Sequence, residues 1–169
     1  MAANGTPALY TPEQRARRDA TVWTPVQAVL APLQFTVFLV SLGLVLYSLN
    51  TGAATDWALG SVVAKTVLLY LIMVTGCIWE KVVFGQYLFA PAFFWEDVMS
   101  MGVLALHSAY LVVWQQGLWP ASEQLALALA AYAAYAINAA QYLLKLRTAR
   151  LQRPTAESAL PPGAEGVHP

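Results

Sequence analysis

Charge is what this sequence has least of. Asp, Glu, Lys and Arg make up 11% of its 169 residues while 59% are hydrophobic, and the mean hydropathy is +0.54; soluble domains carry about a quarter charged residues. Such a chain is built for a bilayer. Nine basic and nine acidic residues cancel, so the basic excess of a nucleic-acid binder is missing and no nucleic-acid partner is expected. Cysteine is nearly absent as well: Cys77 stands alone, which excludes an internal disulfide and a thiolate metal cage. No short apolar core with a small-residue cleavage site lies near the start, so no removable signal peptide is expected and the first span must direct insertion. Also missing are C-x-x-C-H, G-x-G-x-x-G, a P-loop, and the paired Glu and His three apart that a di-iron bundle needs. What remains is carboxyl, imidazole, amine, phenol and amide. That inventory suits general acid–base catalysis with no redox cofactor and no metal ligand set.

Apolar segments dominate what is present. Four of them, at about 25–49, 57–80, 97–116 and 123–146, are long enough for a crossing of roughly 20 residues. A short basic helix at about 12–23 precedes them. Its start is signalled by Thr11, Pro12 and Gln14, its charge comes from Arg15, Arg17 and Arg18, and Thr24, Pro25 and Gln27 repeat the start signal for the first span. Pro32 is placed to kink that span. The expected architecture is all-α: one integral membrane four-helix bundle over residues 1–153 with an N-terminal interfacial helix. Residues 1–10 read as loose and 154–169 as a disordered tail rich in Pro, in which His168 is no ligand. Lys and Arg flank the first span's start, the segment around Lys81 and the fourth span's end, and are missing from the other two turns. Both termini and the Lys81 region are therefore expected on the cytoplasmic side.

The stretch from Ile78 to Val98 sets Glu80, Lys81, Glu96 and Asp97 among Trp79, Phe84, Tyr87, Phe89, Phe93, Phe94 and Trp95. It reads either as a membrane-surface loop with aromatic anchors, or as an active site where aromatic walls receive a flat ligand and low dielectric tunes carboxyl groups. Within the bilayer, Lys65 is close enough to Trp57 to snorkel back to the headgroups, the alternative being a functional lysine. His107 shares a helix face with Glu96, Ser100, Tyr110 and Trp114; it reads as a functional group or as a neutral imidazole bonded to a neighbouring helix. Tyr135, Asn138 and Tyr142 share a face of the fourth span, where packing competes with a functional role.

Four segments carry a family resemblance: Y-T-P-E-Q-R-A-R-R-D-A at 10–20, G-x-I-W-E-K-V-V-F-G-Q-Y-L-F-A-P-A-F-F-W-E-D-V-x-S at 76–100, A-L-H-S-A-Y at 105–110, and I-N-A-A-Q-Y-L-L-K-L-R at 137–147. Together they resemble the 3-vinyl bacteriochlorophyllide hydratase family, called 2-vinyl in older ring numbering, over roughly residues 10–150. The resemblance implies an inner (intracytoplasmic) membrane enzyme of bacteriochlorophyll synthesis in photosynthetic bacteria. It would add water across the 3-vinyl group of chlorophyllide a or a related chlorin, giving a 3-(1-hydroxyethyl) group.

Hydration of an alkene needs a neutral acid to protonate the terminal methylene and a base to take a proton from water. The catalytic candidates are Glu80 with Asp97, then Glu96 and His107. Glu80 and Asp97 equally suit structural ion pairing at the membrane edge. A carboxyl desolvated by Phe93, Phe94 or Trp95 would keep its proton. Trp79, Tyr87, Phe94 and Trp95 are candidates for the substrate wall, Lys81 for the propionate or a pair with Glu80, and Asn138 for a further substrate contact. His107 is a candidate proton donor or ligand of the magnesium, which belongs to the chlorin. A bundle of four spans has limited room for a macrocycle, which leaves a place for a homo-oligomer as well as lipid in completing the site. The alternative function is a non-catalytic membrane pigment-binding or pigment-transfer protein; a scaffold subunit without chemistry has no use for acids among these aromatics.

Overall fold

The computed structural model describes residues 9–151; residues 1–8 and the tail at 154–169 with His168 lie outside the described residues. The described chain is helical: α1 (Pro12–Ala20), α2 (Trp23–Thr51), α3 (Thr55–Phe84), α4 (Phe94–Gln116) and α5 (Ala121–Leu151). Helices α2 to α5 are long and apolar enough to cross a membrane, and the protein is a multi-pass membrane bundle. At about 1.5 Å per residue the 30 residues of α3 reach roughly 45 Å, well beyond a hydrocarbon core of about 30 Å. Its last turns, with Glu80, therefore reach the edge of the apolar layer.

Local chemistry explains where the helices begin and end. Thr11 Oγ1 accepts from the Gln14 N–H (3.2 Å) and Gln14 Oε1 from the Thr11 N–H (2.9 Å), a reciprocal cap that starts α1. The second start signal is used differently from its sequence reading: α2 opens at Trp23, and Thr24 lies inside it. The Thr24 hydroxyl donates to the Arg18 carbonyl (2.6 Å) and accepts from Trp79 Nε1 (2.9 Å), while Gln27 Nε2 donates to Thr75 Oγ1 (2.7 Å). Tertiary partners have claimed the capping groups. Helices α2, α3 and α4 each stop at a glycine in the left-handed region: Gly52, Gly85 and Gly117, at φ 72°, 89° and 60°. Helix α2 continues through Pro32.

Helix α2 packs mainly along α3, and α4 along α5, with α2–α5, α3–α4 and α3–α5 contacts closing the bundle. Val45, Val62, Leu69, Val103, Leu125 and Ala128 fill its interior, while Leu39, Val40, Leu71 and Leu143 face outward. Lipid is as apolar as these side chains, so hydrogen bonds and close packing must select the helix pairs. Ser41 bonds Ser61 (2.6 Å) and the Tyr132 hydroxyl (2.5 Å), Tyr70 bonds Ser108 (2.7 Å), and the Tyr110 hydroxyl donates to the Leu59 carbonyl (3.0 Å).

Two sequence expectations are corrected. Lys65 does not snorkel: it is 0% exposed, with Nζ 3.7 Å from the Tyr135 ring centroid. The aromatic faces that α5 turns inward give the amine a cation–π partner that lipid cannot. The end of the 1–10 segment is not loose either. Tyr10 is 7% exposed and stacks on Phe84 at 5.8 Å.

Candidate active site at the basic end of the bundle

The end of α3, the start of α4 and the last turns of α5 converge at the end of the bundle that also carries α1. Glu80 and Asp97, 6% and 2% exposed, stand there on α3 and α4 close enough for each carboxyl to act on the other. Two like charges this close in apolar surroundings are costly, which favours one proton on the pair. The loop between the helices closes over the pair. Its Phe89 N–H donates to Asp97 Oδ2 (2.8 Å), and its Ala90 N–H makes a longer contact to Glu80 Oε2 (3.4 Å). Phe89 holds φ 60° to present that N–H, a conformation that costs an L-residue about 1–2 kcal/mol. From α5 the Tyr142 hydroxyl donates to Asp97 Oδ1 (3.2 Å). Asp97 thus accepts from two donors, the arrangement that suits a carboxylate, while Glu80, with one longer contact, suits the proton-bearing partner.

An aromatic shell surrounds the pair. Phe93, 3% exposed, lies 5.9 Å from Trp79, 5.8 Å from Phe84 and 5.9 Å from Tyr142 between ring centroids. Tyr10 closes the outside; burial pushes its phenol above the ordinary range, opposed by the Arg18 guanidinium 4.9 Å from the ring centroid. Glu96 turns aside from the pair and meets Lys145 Nζ at 2.6 Å. Lys145→Met leaves Glu96 without its counter-charge and is expected to destabilise the protein by about 1–3 kcal/mol. The double variant with Glu96→Gln should recover part of the loss in thermal denaturation of the solubilised protein.

The remaining sequence candidates are dispersed. Lys81 is exposed and does not pair with Glu80. Its amine donates to the Gly85 carbonyl (2.8 Å) and lies 5.3 Å from the Tyr87 ring centroid, because one step along α3 turns it about 100° away. Trp79 is in the shell, tied to Thr24. Tyr87, Phe94 and Trp95 are exposed, Trp95 at 70%, whereas Phe93 is buried against Tyr142, whose hydroxyl meets Asp97. Asn138 is buried with Nδ2 on Ser100 Oγ (2.8 Å). His107 lies three turns beyond Asp97 on α4, about 15 Å along the axis.

The family model for 2-vinyl bacteriochlorophyllide hydratase matches residues 10–148. The chain belongs to that family. A protein named 2-vinyl bacteriochlorophyllide hydratase from Cereibacter sphaeroides is 65% identical over 149 residues, 88% of this chain and 92% of the relative. One of the same name from Rhodobacter capsulatus is 66% identical over 145 residues, 86% of this chain and 84% of the relative. No solved structure matches the chain. The whole shell described here, from Tyr10 to Lys145, falls inside the segment that matches the hydratase family.

Two participants were missed as such in the sequence. Spacing along the fourth span groups Tyr142 only with Tyr135 and Asn138, and Lys145, among the basic residues at that span's end, bears only on orientation. The signal was available: 138, 142 and 145 follow the i, i+4, i+7 spacing of one helix face. What the spacing does not show is that this face meets the first turn of α4.

Proposed function

We propose that this protein is a hydro-lyase that adds water across the 3-vinyl group of chlorophyllide a or a related bacteriochlorophyllide, giving the 3-(1-hydroxyethyl) pigment. The pair of buried carboxyl groups, Glu80 and Asp97, inside a chain of the hydratase family is the observation that carries this reading. Glu80 gives its proton to the terminal methylene, forming the new C–H bond. Positive charge develops on the carbon attached to the macrocycle and spreads into the ring. Water attacks that carbon, and Asp97, held by the Tyr142 hydroxyl, takes the proton water gives up. Passing that proton back to Glu80 restores the pair. No electron is transferred, and the reaction calls for no redox cofactor; magnesium enters with the substrate.

The pigment approaches from the membrane face. Tyr87, Phe89, Phe94 and Trp95 are exposed beside the loop over the carboxyl pair, forming an aromatic landing for a flat macrocycle at headgroup level. Displacing the loop removes the two N–H contacts and opens the pair to the vinyl group. Lys81, exposed on the same side, is placed to meet the propionate or lipid phosphate. The basic groups at this end support a cytoplasmic side for it and for both termini, in the bacterial inner membrane that membership of the family implies.

Membranes containing the chain, supplied with chlorophyllide a and no added cofactor, test the reading. The expected result is a pigment heavier by one water, with absorption shifted to the blue as the vinyl group leaves conjugation. Pigment that co-purifies with the protein at unchanged mass would overturn it.

A further inference from the structure

A second polar centre lies deep in the bundle, where the carboxyl chemistry makes no use of it. Lys65 on α3 and His107 on α4 are both 0% exposed. Lys65 Nζ lies 3.7 Å from the Tyr135 ring centroid and 5.8 Å from that of Tyr132, and the His107 ring is 5.9 Å from Tyr132. Lys65 Nζ and His107 Nε2 are both buried without a hydrogen-bond partner, as are both amide atoms of Gln34 on α2 and Oδ1 of Asn138 on α5. Gln34 is one turn from Phe38, which contacts both tyrosine rings, and Asn138 one turn from Tyr135. Every span contributes to this level. Unpaired polar atoms at bilayer depth are costly, and five of them, on four side chains, call for an occupant.

The donors and acceptors say which occupant. His107 Nδ1 lies 2.8 Å from the Val103 carbonyl, which can only accept, so Nδ1 carries the hydrogen and Nε2 offers a lone pair. Lys65 as an ammonium offers hydrogens alone. An anion would meet the imidazole lone pair and a cation would meet the ammonium. A small molecule that accepts from Lys65 and donates to His107 satisfies both, and water is that molecule.

Polar groups continue toward Asp97. Ser100 lies two turns from His107 on the same face of α4, beyond the buried Val103, and accepts from Asn138, whose Oδ1 has no partner; Asp97 follows about one turn further on. We propose that Lys65 and His107 hold ordered water in the centre of the bundle, and that this water, passed along Asn138 and Ser100 to Asp97, is the water added to the substrate. Atoms balance as in the reaction above: the oxygen bonds the carbon next to the ring, one hydrogen stays on it and one goes to Asp97. The supply role rests on the hydratase reading; the water site does not. Water would reach the cation from inside the bundle while pigment occupies the membrane face, so the two substrates do not compete for one entrance.

X-ray radiolytic footprinting of the solubilised protein detects bound water by oxidation of the side chains beside it. Tyr132 and Tyr135 are expected to be labelled despite their burial, with label at least threefold lower in Lys65→Met/His107→Leu. His107→Gln, which restores an acceptor, should regain label when Lys65 is kept. The double variant should also lose about tenfold in hydration rate, measured on the same preparation. Tyrosines left unlabelled in the wild-type protein would show a dry centre and overturn the site. Label that depends on Lys65 and His107 with an unchanged hydration rate would overturn the supply role. Wild-type protein that is labelled but hydrates nothing would refute the hydratase reading, and the supply role with it, while upholding the water site.

Discussion

Asp97→Asn is expected to lower the hydration rate by about 10²- to 10⁴-fold, the usual cost of removing a general base, while the protein still folds and inserts. The amide is close in size to the carboxylate, and its oxygen can still accept from the Phe89 N–H or the Tyr142 hydroxyl, which bond the two Asp97 oxygens at 2.8 and 3.2 Å. What it cannot do is take a proton from water or return one to Glu80. A structural role predicts the opposite pattern: lower thermal stability with the turnover of the folded fraction unchanged. Hydration by the purified variant, normalised to folded protein, separates the two, and a rate within a factor of two of wild type would remove Asp97 from the mechanism.

Phe93→Ala should give the largest loss of stability, about 3–5 kcal/mol, because a buried aromatic leaves a cavity that its neighbours fill only partly. Phe93 joins α3, α4 and α5 through Trp79, Phe84 and Tyr142, and the Lys145 amine lies 5.1 Å from its ring centroid. Phe94→Ala is the control. Phe94 is 43% exposed and should cost little in stability, whatever its effect on pigment affinity. Thermal denaturation in one detergent would show the contrast, and equal losses in the two variants would mean that the aromatic shell is not what holds the carboxyl pair.

The bundle was readable because the signals that make it are local. Long apolar runs mark α2 to α5, Thr11 with Gln14 starts α1, and glycines end three helices where no side chain is favoured. Glu80 and Asp97 stood out as acids among aromatics. Which aromatics cover them depends on rotation: α4 starts at Phe94, so Phe94 and Trp95 point outward while Asp97 turns in. A single-residue change in that start reverses the assignment. The Lys145–Glu96 pair spans 49 residues and arises only when α5 docks on α4. Lys65 was misread for the same reason: snorkelling is the better choice for an isolated helix, and only the tyrosine faces of α5 make the buried position better.

Turnover of Glu80→Gln, Asp97→Asn and their double variant tests the central claim most directly, because groups that act as one proton-transferring unit are not additive. The account predicts that each single change removes nearly all activity and that the double variant is about as slow as the slower single one. Losses that multiply, or a single variant that hydrates at the wild-type rate, would contradict a shared proton between Glu80 and Asp97.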